Sequence, residues 1–406
     1  MKKTRFFLGH LWILLMVSGR IPAMPVMASE GQGPVMVRVL LTDTDFHSVY
    51  HPSVTVFYDE KEYTWTEEQL KKTGETIHIP EQKEGIQILS IERQQGNPVY
   101  RGTLDIQWKS EGLILVNKLP LEEYLCSVVP GEMPASYEGE ALKAQAVCAR
   151  TYAWKQIQQQ NLDEYGADVD DSVNYQVYGN SQPQVSATEA VNATEGRIIT
   201  QNGEAVEAYY FSTSAGVTAT DEIWGAETAA PYLKSVPCRF DENMPWSRWH
   251  VKIPWEILAE RAAKVTGEKG KLLSLSAEKT DQNGAVTGLR VITETTSVLL
   301  ENEHTIREFL SPEGLDITEK DGTVTSGGPL LPSAFIQIEE DGKEVTITGK
   351  GYGHGVGMSQ NGANAMAKEG YSWQEILNYF FRNIEIQDMK PLDSQTIIEN
   401  NRNLSP

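Results

Sequence analysis

Cysteine is scarce in this chain: Cys126, Cys148 and Cys238 stand far apart with no CxxC spacing. An odd, sparse set makes neither a disulfide framework nor a metal-ligand pattern. Cys126 and Cys148 fall in apolar text, where a free thiol serves as a small hydrophobe, and all three read as structural. Positive charge is the second shortage. Lys and Arg number 35 against 56 Asp and Glu, a formal charge of −21, and no basic block follows the N-terminus. A duplex nucleic-acid binder needs clustered cations, so nucleic acid is not an expected partner. An acidic surface also adsorbs poorly to anionic lipid or wall polymer without a specific pocket. Beyond the N-terminus no stretch is long and apolar enough to span a bilayer, so any membrane contact is expected through the N-terminal segment only.

What is present is an ordinary globular balance, with 40% hydrophobic and 22% charged residues. That excludes wholesale disorder, and 406 residues suffice for two or so globular units. The chain opens with Lys2, Lys3 and Arg5, an apolar run over 6–19, and small residues around Val26-Met27-Ala28. This reads as an export signal over 1–28, either cut before Ser29 or kept as an anchor, and the protein is expected outside the cytoplasm.

Residues 33–118 are β-rich. Alternating apolar positions over 35–41 recur at 53–58, 85–91, 103–108 and 112–116, separated by polar, Gly-bearing turns. Pro120 opens a short helix over 121–128. Two prolines and a glycine in Val129-Pro130-Gly131-Glu132-Met133-Pro134 argue against regular structure there. A longer helix follows, with Ser136 as its N-cap and Leu142, Ala146, Ala149 and Ala153 as one apolar face. Residues 163–184 read as polar and irregular, with strands returning at 197–200 and 206–211. Residues 240–330 mix helix and strand as an inserted or accessory lobe, ending in a linker at 325–331. Strands at 334–338 and 343–348, a glycine-rich loop, and helices at 363–368 and from Ser372 complete the core over 331–389, before a polar tail over 390–406. The fold class is α+β: a β-rich N-terminal part and a core of mixed sheet and helices in two halves, 119–239 and 331–389, around a smaller lobe.

Four places could carry chemistry. Glu132 stands between Pro130 and Pro134, whose rings fix their own torsions and restrict the residue before them. A general acid needs a fixed position and partial desolvation; a surface glutamate in a Pro-Gly turn fits the local text equally well. Arg150 lies in a largely apolar helix, where it needs a carboxylate or an anionic ligand, unless it reaches the surface along its own stem. Gln145 nearby could bind a sugar hydroxyl or face solvent. In Tyr209-Tyr210-Phe211-Ser212-Thr213-Ser214, Tyr210, Ser212 and Ser214 suit sugar recognition, rings against pyranose faces and hydroxyls against hydroxyls. No G-x-S-x-G elbow supports a serine nucleophile. Gly351-Tyr352-Gly353-His354-Gly355-Val356-Gly357, followed by Met358, Ser359 and Gln360, permits tight turns and close ligand approach. It lacks the Lys-Ser/Thr of a phosphate loop, and His354 lacks a second histidine at zinc spacing. No metal and no cofactor are expected.

Together these blocks resemble the stage II sporulation protein D family. PLEEYL, VVPGEMP and EALKAQAVCARTYA match its central block, and GYGHGVGMSQNGA with the following SWQEIL its C-terminal block. The resemblance implies lytic transglycosylase activity on peptidoglycan glycan strands, preferably stripped of peptide stems, in wall remodelling of the sporulation and engulfment type. It carries the catalytic acid onto Glu132 and a site-shaping role onto Arg150. His354 and Gln360 are substrate-binding candidates from the glycine-rich block itself, although a lone His often serves only to fix local structure. It implies a cell-wall amidase and other engulfment proteins as partners. Phe211 stands where the family often has His, and Ala215-Gly216 where it often has a Gly pair. A His/Cys metal site of some relatives has no counterpart between Gln159 and Gly179. Other relatives are described as amidase enhancers, which leaves a non-catalytic wall-binding role as the alternative.

Overall fold

A computed structural model describes residues 33–179, 181–267 and 270–390. The segment expected to direct export lies outside these residues, as does the tail after Lys390. Among the described residues no helix is long and apolar enough to cross a membrane.

The fold is α+β. The N-terminal part is built on a five-stranded sheet in the order Ile77–Ile79, Thr103–Lys109, Gly112–Pro120, Met36–Leu41, Val169–Asp170. The last pairing is parallel and reaches into the following core. Gly112–Pro120 is apolar at almost every position because both faces are covered. Leu113 and Leu115 enter the main core, while Ile114 and Val116 meet Leu40 on the other side. A four-stranded sheet packs beside it, its strand Lys61–Thr66 running into helix α1 (Glu67–Thr73) through a Thr66–Gln69 capping box.

Helices α2 (Leu121–Glu132), α3 (Gly139–Gln159) and α4 (Val185–Ala193) follow. The expectation that the Pro-Gly segment breaks regular structure is wrong. α2 runs through Pro130 and Gly131 and ends at Glu132. A proline inside a helix costs about 3 kcal/mol. Complete burial of Leu125, Val128, Val129 and Met133 offsets that cost. The stop comes from Pro134, which drives Met133 into the extended region, φ −131° and ψ 132°. Ser136 is not the cap of α3. The cap position is Glu138, whose N–H donates to Asn364 Oδ1 at 2.9 Å.

Leu142, Ala146, Ala149 and Ala153 are fully buried as the spacing implies, but so are Ala141, Ala144, Val147 and Cys148 on the other faces. α3 is the central strut of the core, packed by α2, α4, and the C-terminal helices α7 (Gln360–Lys368) and α8 (Trp373–Phe380). All three cysteines are buried and free.

A second apolar core gathers Trp249, Val251, Leu289, Val291, Ile306, Val345 and Ile347. It lies between α5 (Trp255–Thr266), α6 (Glu303–Phe309), a three-stranded sheet and a five-stranded sheet. Two boundaries shift here. Ile336–Glu340 and Glu344–Gly349, expected in the second half of the core, pair in this second five-stranded sheet beside Trp249–Pro254. Thr325 and Ser326, read as the start of a linker, belong to the strand Val324–Ser326, which pairs with Asp316–Glu319. Of residues 206–211 only Tyr210–Phe211 form a ladder, parallel to Met358–Ser359. That short ladder joins the two sequence-distant halves of the site.

Candidate active site

The PGEMP segment now has a physical reading. Pro130 and Gly131 lie in the last turn of α2, and a Cβ on Gly131 would stand 3.1 Å from the Val177 carbonyl oxygen. Its absence lets the 172–178 segment approach the helix end, where the Val177 N–H donates to Glu132 Oε1 at 2.8 Å. The backbone carbonyl of Glu132 accepts from Gln360 Nε2 at 3.1 Å. Glu132 is therefore held from both sides by chain 45 and 228 residues away.

The glycine loop forms the opposite wall. Gly351, Gly353, Gly355 and Gly357 all have positive φ. At Gly357 a Cβ would come within 2.1 Å of the Tyr209 carbonyl oxygen, and at Gly353 within 2.8 Å of Phe211 Cβ. The alternating glycines thus let one backbone lie directly on another. The loop ends in Ser359, which caps α7 by accepting from Gly362 N–H and donates to the buried Asp241 at 2.8 Å.

Between the two walls lies a cleft of about 430 Å³ with Glu132 on its surface. Tyr152, Tyr175, Tyr209, Tyr210, Phe211, Trp224 and Tyr352 supply its rings, and Asn174, Ser212 and Gln360 its neutral polar groups. Val173, Tyr352 and Trp224 remain 83%, 42% and 37% exposed, apolar surface left open along the cleft. Glu132 is the one carboxyl group among the lining residues, and no Lys or Arg lines the cleft. Burial is the largest influence on Glu132 and raises its pKa from 4.5 to about 7; the Val177 N–H and the Tyr210 hydroxyl pull the other way. The carboxyl is thus poised to give and take a proton near neutrality.

His354 lines the cleft with both ring nitrogens engaged: Nε2 donates to the Tyr210 carbonyl at 3.0 Å and Nδ1 accepts from Val356 N–H at 3.1 Å. Burial pushes its pKa down to about 4, so it is a neutral wall residue packed against Tyr209, Phe211 and Trp224.

Of the candidate residues, Glu132, Tyr210, Ser212, His354 and Gln360 meet in the cleft. Three do not. Arg150 is fully buried at the α2–α3–α4 junction. It clamps Glu122 through Nε and Nη2 at 2.7 Å each and donates to the carbonyls of Val191 and Arg197. Its donors are spent on the fold, so it has none for substrate. Ser214 is buried, its hydroxyl donating to the Cys238 carbonyl and its N–H to Asp241. Gln145 is buried beneath Gln360 and accepts from it at 3.3 Å. Among the described residues no group of three or more His, Cys, Asp or Glu could hold a metal ion.

The sequence reading missed Gln176, Val177 and Trp224. Trp224 follows the aromatic strand closely enough that a search for sugar-stacking rings could have found it. Val177 acts through its backbone, and no side-chain pattern could have found it.

Four matches to known proteins bear on this site. A family model described as Stage II sporulation protein matches residues 109–201, which include Glu132 and all of α3. Stage II sporulation protein D of Bacillus subtilis is 34% identical over 290 residues, 67% of this chain and 76% of that protein. Stage II sporulation protein D of Bacillus amyloliquefaciens is 32% identical over 354 residues, 83% and 91% respectively. The amidase enhancer of Bacillus subtilis is 29% identical over 295 residues, 63% of this chain and 39% of that protein.

Proposed function

The chain belongs to the stage II sporulation protein D family, and from that premise we propose that it is an exported lytic transglycosylase of peptidoglycan glycan strands, with Glu132 as its single acid and base. The observation that carries this reading is the isolation of Glu132. Ordinary glycosidases need two carboxyl groups about 5 to 10 Å apart, one to protonate the leaving oxygen and one as nucleophile or base. Here the cleft offers rings, amides, hydroxyls and one carboxyl. One suffices when the sugar brings its own nucleophile. Protonated Glu132 gives its proton to the glycosidic oxygen as the bond to C1 of the muramic acid breaks. The ionised carboxylate then takes the proton of the C6 hydroxyl while O6 bonds to C1, which restores the acid and closes a 1,6-anhydro ring. Intramolecular attack gains from proximity and needs no positioned water. The aromatic rings offer faces for the pyranoses, and Asn174, Ser212 and Gln360 offer partners for sugar hydroxyls and acetamido groups.

The test is digestion of peptide-stripped glycan strands by the purified chain alone, with mass spectrometry of the fragments. Ends in 1,6-anhydro-N-acetylmuramic acid are expected, and Glu132→Gln should slow their release about 10²- to 10⁴-fold. Fragments one water heavier would mean hydrolysis and refute the single-carboxyl mechanism.

The likeness to an amidase enhancer supports a second reading, a wall-binding activator of an N-acetylmuramoyl-L-alanine amidase. It requires that the Glu132→Gln variant stimulate an amidase as well as the native chain does, with no strand cleavage by either.

A further inference from the structure

Beneath the acid lies a buried amide that the chemistry above does not use. Gln176 is fully buried. Its Nε2 donates to the Ala149 carbonyl at 3.3 Å and to the Tyr210 hydroxyl oxygen at 3.0 Å, and its Oε1 accepts from the Tyr124 hydroxyl at 3.2 Å. The Ala149 carbonyl can only accept, so it fixes which end of the amide is nitrogen. Both amide hydrogens are then committed, one to Ala149 and one to Tyr210. Tyr210 receives a hydrogen bond from Gln176 and cannot return its own proton there. That proton is left for an acceptor in the cleft, which Tyr210 and Glu132 line together, and a hydroxyl turned this way favours the charged carboxylate. The next residue after Gln176 in the chain, Val177, supplies the N–H on Glu132 Oε1.

We propose that Gln176 is a positioning residue for the Glu132 acid: it leaves the Tyr210 hydroxyl to donate into the cleft that holds the carboxyl, and it anchors the backbone that brings the Val177 N–H. The proposal rests on Glu132 being the glycan acid. It assigns Gln176 the task of stabilising the ionised carboxylate, the state needed to take the C6 proton. The titratable groups around the carboxyl are Tyr124 on its own helix, Tyr152 on α3, Tyr175 on the 172–178 segment, Tyr209 and Tyr210 at the short strand, and Tyr352 and His354 on the glycine loop. Asp170, at the end of the parallel strand, acts on Tyr124 and Tyr152. Burial raises the pKa of Tyr124, Tyr152, Tyr175, Tyr209 and Tyr210, and His354 stays neutral. No cation is among the groups that shift Glu132. The Val177 N–H, with the Tyr210 hydroxyl turned into the same cleft, is therefore its main support when ionised.

The experiment reads Glu132 in two ways in the full chain: by the high-pH limb of strand cleavage, and by its ¹³C carboxyl shift, assigned by difference against Glu132→Gln. Gln176→Met removes the amide and should move both midpoints up by about one pH unit. Tyr210→Phe should do the same, and the double variant should shift no further, the non-additivity of residues acting through one bond. Gln176→Glu keeps the shape if the methionine variant folds poorly. Its carboxylate accepts from Tyr210, drawing the proton away from Glu132, and should shift the midpoint upward at least as far. Midpoints unchanged in both Gln176 variants, with cleavage lowered evenly at all pH values, would overturn the proposal and leave Gln176 a packing residue. Absence of strand cleavage by the native chain would refute the transglycosylase reading, while the carboxyl titration would still decide the role of Gln176.

Discussion

Replacing Glu132 by Gln is expected to make the protein more stable as the pH rises, and the gain follows from where the carboxyl sits. In the unfolded chain the group loses its proton near its ordinary value of 4.5; in the fold burial holds the proton until about pH 7. Between these values the native state binds more protons than the unfolded state, so stability falls as the pH climbs through this window and levels off above it. A shift of this size corresponds to about 3 kcal/mol at the upper limit. Solvent reaching the carboxyl from the cleft reduces that figure. Glutamine does not titrate, so it escapes the loss. Urea unfolding of both proteins at unit steps from pH 4 to pH 8 gives the comparison. The variant's advantage should be smallest at pH 4, grow through pH 5 and 6, and reach a plateau near pH 8. A difference that stays flat over this range would mean that the carboxyl titrates alike in both states, and the argument for a desolvated acid would fail with it.

Other perturbations separate structure from chemistry. Arg150→Ala should cost about 3 kcal/mol, because it strips the partner from Glu122 at the α2–α3–α4 junction; kcat/KM per folded molecule should stay near native, and a selective loss of turnover would return Arg150 to the site. Gly357→Ala places a methyl group on the Tyr209 carbonyl at a positive φ, so it should destabilise the glycine loop by several kcal/mol and abolish strand binding; a native melting curve would contradict the close approach. Activity should survive exhaustive chelation, since among the described residues no cluster of metal-ligating side chains is present; inactivation by chelator with recovery on stoichiometric zinc would refute this.

Local pattern in the sequence was enough for what depends on near neighbours in the chain. The alternation over 35–41 and the helix start at Ser372 are short-range codes, and they are realised as the strand Met36–Leu41 and a helix capped by Ser372. The small apolar face of α3 was likewise legible, because helical spacing alone sets which residues align. Pro130 shows the limit. Its local preference was to break the helix, and only the burial of Leu125, Val128 and Val129 against the rest of the core decided otherwise. The same holds for Arg150: the sequence showed that a buried guanidinium needs an anionic partner, and only the packing of α2 on α3 identified it as Glu122 and removed it from the cleft. The proximity of Glu132, Tyr210, Gln176, His354 and Gln360 was not written in any spacing, because these residues come from five segments joined by a two-residue ladder and a glycine loop. A motif could nominate the carboxyl, but its raised pKa belongs to the tertiary structure, since desolvation is a property of what surrounds a group and not of what precedes and follows it.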